Sequence, residues 1–169
     1  MGNFVNILLY TLLFPMIGIL ILLLLPAREQ KLLKLMSLNF ACFSFISSLL
    51  LWGGFNKSIG SFQFVTKIYW LPFFTLNFSL GIDGISFFFI ALTTLLIPLC
   101  LLISWNSVGN NLKEFLISFL ILDFLLIGVF SVLDLLFFYI FFETVLIPMG
   151  RILGFFPNVT KLNVLEHNY

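Results

Sequence analysis

Five long apolar runs follow one another along the chain, each closed by a polar, glycine or proline break. Residues 7–25, 35–52, 85–105, 113–131 and 134–153 each approach the roughly 20 residues that a helix needs to cross a hydrocarbon core about 30 Å thick. Pro26 ends the first run, and Gly53 with Gly54 ends the second. Between runs two and three lies the longest non-spanning stretch, Phe55 to Gly84. Its segments SFQFVTKIYW and LPFFTLNFSL alternate in part, carry β-branched and aromatic residues, and are parted by Pro72, which predicts a short hairpin on the membrane surface. Trp52, Tyr69 and Trp70 would then lie at headgroup level. In GIDGIS, Asp83 or Ser86 is placed to cap the third helix. The fold class predicted is all-α and integral to the membrane: a five-helix domain over residues 1–156 and a polar tail over 157–169.

Composition agrees with the pattern. Hydrophobic residues make up 62% of the chain and charged residues 9%, against about 25% charged in ordinary globular domains. A net charge of +1 gives no basic face for nucleic acid. Cys42 and Cys100 lie inside apolar runs, which argues against a disulfide or a thiolate metal site. His167, in the tail, is read as solvated. Met1 to Asn6 holds no Lys or Arg and no small-residue cleavage site follows, so a removable leader is not expected. Asn6 stands where myristoylation prefers Ser or Thr.

Arg28, Lys31, Lys34, Lys113, Arg151 and Lys161 fall on one side of a five-span topology, and only Lys57 and Lys67 on the other. The first side is therefore the cytoplasm, or the matrix of a mitochondrion, with the N-terminus facing the opposite compartment.

Candidate chemistry lies in Asp134 to Met149, DLLFFYIFFETVLIPM, where Glu143 is about 13–14 Å along a helix begun at Asp134. A carboxylate at that depth costs about 2.5–3.5 kcal/mol on insertion scales. The ten Leu, Ile, Val and Phe residues around it return about 0.3–0.6 kcal/mol each, so the helix still inserts. Pro148 has no N–H to give the carbonyl of Thr144, beside Glu143. A freed carbonyl in lipid needs a neighbouring helix, a hydroxyl or a water. Either Glu143 serves a proton path or it is a neutral acid in a kinked structural helix.

Pro98 frees the carbonyl of Thr94 in the same way, with Thr93 and Thr94 as local hydroxyls. Ser37, Ser44, Ser47 and Ser48 in the second run suit helix packing. Asp123 lies about as far before the tight turn at 131–134 as Glu143 lies after it, so both acids sit at about the same depth on adjacent antiparallel helices, and spacing leaves open whether they face each other. Asp123 is either a proton carrier or a protonated acid bonded to a nearby hydroxyl or carbonyl.

LDLLFFYIFFETVLIPM, preceded by GIDGISFFFIALTTLLIPLCLLISW, resembles the subunit 4 family of mitochondrial NADH dehydrogenase (complex I). That family belongs to the antiporter-like proteins shared with multisubunit sodium/proton antiporters. The resemblance covers residues 80–149 strongly, and the first two spans agree in layout. It implies that these helices form the N-terminal part of a helical bundle of about fourteen, with a proton-translocating glutamate on the fifth that Glu143 matches; Asp123 resembles a family acidic position. After Met149 the text departs into GRILGFFPNVTKLNVLEHNY, where the family continues into further helices and a central lysine. Lys161, in the tail, is not that lysine. The chain is thus read as the N-terminal piece of a split subunit completed by a second polypeptide, or else as a truncated remnant.

The function implied is proton translocation in the membrane arm of an NADH:ubiquinone oxidoreductase in the mitochondrial inner membrane. FMN, iron–sulfur clusters and ubiquinone are expected on partner subunits, and none on this chain. Partners implied are other membrane-arm subunits, antiporter-like subunits 2 and 5 among them, and lipids. The alternatives are a sodium/proton antiporter subunit, or a structural piece that no longer pumps.

Overall fold

The computed structural model describes residues 2–71, 76–106 and 111–155, and side chains within 7–67, 78–106 and 111–154. Lys161, His167 and the rest of the expected tail lie outside the described residues, as do the side chains of Tyr69 and Trp70. The order of elements is α1 (Gly2–Leu24), α2 (Gln30–Gly54), β1 (Gln63–Leu71), β2 (Leu76–Ile82), α3 (Gly84–Ile103), α4 (Leu112–Ser131) and α5 (Leu135–Phe155). All five helices are long and apolar enough to cross a membrane.

The second helix starts at Gln30 rather than 35, because its charged first turn is still helical: Leu33 N–H reaches Glu29 O at 3.0 Å. A helix does not have to stop where the oil does. Asp83 caps α3 by accepting from Ser86 N–H at 2.8 Å. Proline stays inside three of the helices, at Pro15, Pro98 and Pro148.

The centre of the bundle is α4, which packs on α1, α2, α3 and α5. Of its most apolar window 56% is buried, against 11% for α5, so α5 is the outermost helix of the group. Two apolar cores stack along the bundle axis. One gathers Leu22, Leu33, Ala41, Leu101, Phe115 and Leu120 at the end bearing most of the basic residues. The other gathers Leu8, Leu51, Leu80, Phe87, Ile90 and Ile127 at the hairpin end. Between them the buried positions turn polar: Ser44, Ser47, Ser48, Thr94 and Asp123, with Thr11 alongside.

Two glycines let helices approach closely. A Cβ on Gly18 of α1 would stand 2.9 Å from Phe40 Cβ on α2, and one on Gly128 of α4 would stand 2.9 Å from the Phe141 ring on α5.

The expected hairpin is present as an antiparallel pair, Gln63 opposite Ile82 and Leu71 opposite Leu76. Its register slips between Gln63 and Thr66, where Phe64 adopts a left-handed φ of 55° and turns its ring into the upper core. The hairpin also holds the α4–α5 turn, since Leu133 N–H donates to Ser79 O at 2.9 Å and Leu80 bridges Val132. At the opposite end, Lys34 donates to the Trp105 carbonyl. Lys113 donates to the carbonyls of Leu23 at 2.9 Å and Leu25 at 2.7 Å. These lysines satisfy carbonyls at or just past the ends of α1 and α3, where the helix no longer supplies donors.

Candidate functional site

The polar layer is built from α2 outward. Ser37, Ala41, Ser44, Ser48 and Leu51 are buried at helical spacing and form one stripe of mostly small residues. Small side chains there let α1, α3 and α4 come close, and hydroxyls tie them together. Ser47 Oγ meets Thr11 Oγ1 of α1 at 2.7 Å, and Ser48 Oγ meets Thr94 Oγ1 of α3 at 2.9 Å. Thr11 also donates to Ile7 O, and Thr94 to Ile90 O, both at 2.9 Å. The Thr94 hydroxyl thus turns back to Ile90 O and across to Ser48 rather than to its own carbonyl, the one that Pro98 leaves without an N–H.

Asp123 breaks the pattern of satisfied groups. It is fully buried, and neither carboxyl oxygen has a hydrogen-bond partner among the described residues. Ser44 lies beside it, close enough to interact, yet its Oγ is also without a partner, because the pair falls outside hydrogen-bond geometry. Packing was the role the sequence assigned to Ser44, and the structure adds a place next to the acid. No signal in spacing could have found this, since it depends on how α2 and α4 rotate against each other. Of the helices packed on α4, α1 and α3 carry no charge, α2 carries Lys31 and Lys34 only near its start, and α5 turns Glu143 to its exposed side and carries Arg151 near its far end.

Glu143 faces elsewhere. It lies on the exposed side of α5, and its carboxylate accepts from the Tyr139 hydroxyl one turn earlier. Tyr139 was missed in the sequence, although its separation of four from Glu143 places the two on one helix face. The two acids are at matching depth, eight residues from the α4–α5 turn in each helix, or about 12 Å. They do not face each other: Asp123 points into the bundle, Glu143 away from it.

Thr144 donates to Ile140 O at 2.6 Å and, with the buried Pro148, lines a groove between α4 and α5. The groove encloses about 340 Å³ and is also lined by Leu23, Ser118 and Ile147, with Glu114 and Arg151. Near the membrane surface, Asp83 is held below its ordinary value of 3.8 by hydrogen bonds from the Ser86 side chain and backbone. Capping, not proton carriage, is its work.

Fold and site together define a polytopic helical membrane protein that seals one carboxyl group inside its bundle and presents a second on its outer helix. No family model matches the chain. It is 58% identical over 149 residues to NADH-ubiquinone oxidoreductase chain 4 of Chondrus crispus, covering 88% of this chain and 30% of that protein. The same-named protein of Arabidopsis thaliana is 50% identical over 140 residues, covering 83% of this chain and 28% of the relative. That of Metridium senile is 44% identical over 152 residues, covering 87% and 30%.

The chain belongs to the NADH-ubiquinone oxidoreductase chain 4 family. It spans about 30% of the length of the curated relatives it matches.

Proposed function

We propose that this chain is a proton-translocating part of the membrane arm of respiratory complex I, an NADH:ubiquinone oxidoreductase, and that Asp123 and Glu143 carry the proton. The observation that bears most weight is Asp123, a fully buried carboxyl at mid-bundle with no hydrogen-bond partner on either oxygen among the described residues. An isolated carboxylate in apolar surroundings is expensive, so the acid holds a proton until a partner or water arrives. Glu143 works from the outer face, where Tyr139 fixes its carboxyl and the rest of a chain 4 protein, on this or a second polypeptide, supplies the facing groups.

Redox chemistry belongs to partner subunits. Iron–sulfur clusters take four cysteine ligands, and the two cysteines of this chain stand on different helices, Cys42 on α2 and Cys100 on α3. They do not fit such a cluster. FMN and ubiquinone are likewise assigned to partners, which include the other antiporter-like subunits 2 and 5. The basic residues Arg28, Lys31, Lys34, Lys113 and Arg151 gathered at one end support placing that end in the matrix and the start of α1 toward the intermembrane space of a mitochondrial inner membrane.

The test is Glu143→Gln and Asp123→Asn in the assembled complex. Both variants should assemble, with lower NADH:quinone turnover and fewer protons moved per electron pair. Unchanged proton stoichiometry in both would remove the proposal. Loss of assembly in Glu143→Gln with normal stoichiometry in the complex that remains would favour a structural role.

A further inference from the structure

Three of the five helices carry the same nine-residue pattern. ILLYTLLFP runs from Ile7 to Pro15 in α1, IALTTLLIP from Ile90 to Pro98 in α3, and IFFETVLIP from Ile140 to Pro148 in α5. Isoleucine opens each copy, threonine is fifth, leucine seventh and proline ninth. The spacing has one physical logic. Proline removes the N–H that the threonine carbonyl would have accepted, and the threonine hydroxyl folds back onto the isoleucine carbonyl one turn before. The back-bond is present in all three, at 2.9, 2.9 and 2.6 Å.

Two copies go one step further. Thr11 and Thr94 each meet a serine of a neighbouring helix, Ser47 and Ser48 of α2, and both threonines are fully buried. The third copy makes no such bond among the described residues. The Thr144 hydroxyl bonds only its own helix and opens onto the α4–α5 groove of about 340 Å³, while Ser118 of α4, on the same groove, gives its hydrogen to Glu114 O. Burial of Pro148 marks this as the inward side of an otherwise exposed helix.

We infer that the α4–α5 groove is the seat of a further transmembrane helix presenting a serine or threonine hydroxyl to Thr144, as α2 does to α1 and α3. The occupant is protein because the stretch matched by this chain is only 30% of the relative's length, so most of that length lies beyond these five helices. A hydroxyl is inferred from the other two copies, each of which meets a serine, and the Thr144 hydrogen, already given to Ile140 O, leaves an acceptor lone pair for it. The small residues of α2 set the size: a side chain no larger than threonine lets the backbones approach as closely as they do at Ser47 and Ser48. The inference uses family membership for the extra length and is independent of any role in proton movement.

The test is a photoreactive benzoylphenylalanine at Ile147, which lines the groove and is 66% exposed, in the assembled, purified complex. Irradiation should yield an adduct to one transmembrane segment with a serine or threonine within a turn of the attachment point. Thr144→Val, and alanine at that hydroxyl, should each lower the fraction of chain retained in the complex after detergent challenge. The double variant should be no worse than the worse single one, and Thr144→Ser should behave as wild type. An adduct to lipid alone, no adduct, a segment with no hydroxyl in reach, or additive losses would each overturn the inference. None of these readouts depends on proton stoichiometry, so failure here and failure of the proton reading are separable.

Discussion

Asp123 and Asp83 show how the same side chain does opposite work in two settings. Inside the bundle, Asp123 is an unsatisfied polar group, and such a group costs about 1–3 kcal/mol. Asp123→Leu should therefore raise the thermal stability of the assembled protein by about that amount while lowering its proton-coupled turnover. A stability loss instead would mean the acid holds the helices together. At the surface, Asp83 earns its place as a cap, and Asp83→Ala should destabilise the start of α3 by about 0.5–2 kcal/mol. Its folded value lies below 3.8, so its contribution is whole above that pH and disappears as pH falls through the lower, folded value. Melting curves of wild type and Asp83→Ala should thus differ at neutral pH and converge in acid. Asp83→Asn, which keeps an acceptor, should lie between them at neutral pH without that dependence.

Helices α1 to α5 were legible in the chain because apolar length alone decides what crosses a membrane. The hairpin could be read from alternation, and the cap from Asp83 before a long apolar run. The rotation of each helix about its own axis could not be read. Equal depth put Asp123 and Glu143 side by side on paper, yet α4 turns its acid inward and α5 turns its acid out. With apolar residues on every face, nothing in the sequence of α5 distinguishes a face toward α4 from a face toward lipid or protein. Glycine is a partial exception, since Gly18 and Gly128 mark close contacts. Gly128→Leu would drive its side chain into the Phe141 ring, and overpacking of this kind costs about 1–3 kcal/mol. The expected outcome is a lower melting temperature with α5 the first helix to become accessible to protease, and Gly53→Leu, which meets nothing, as the silent control.

At the scale of the whole molecule, the five helices are organised as two oily cores separated by a thin polar floor, with a β-hairpin bracing one end and lysines bracing the other. Lys113→Met keeps the length of the side chain but removes its donors, leaving the carbonyls of Leu23 and Leu25 without their partner. A thermal loss of about 0.5–1.5 kcal/mol is expected, read by unfolding in detergent, with no change in how many helices insert. These bonds join residues 90 and 88 positions apart. During synthesis, the first helix therefore waits with its last carbonyls open while three more segments leave the ribosome. Only when the fourth threads into the bilayer does an ammonium group arrive to close them, so the first helix is not finished until the chain is most of the way through its described length.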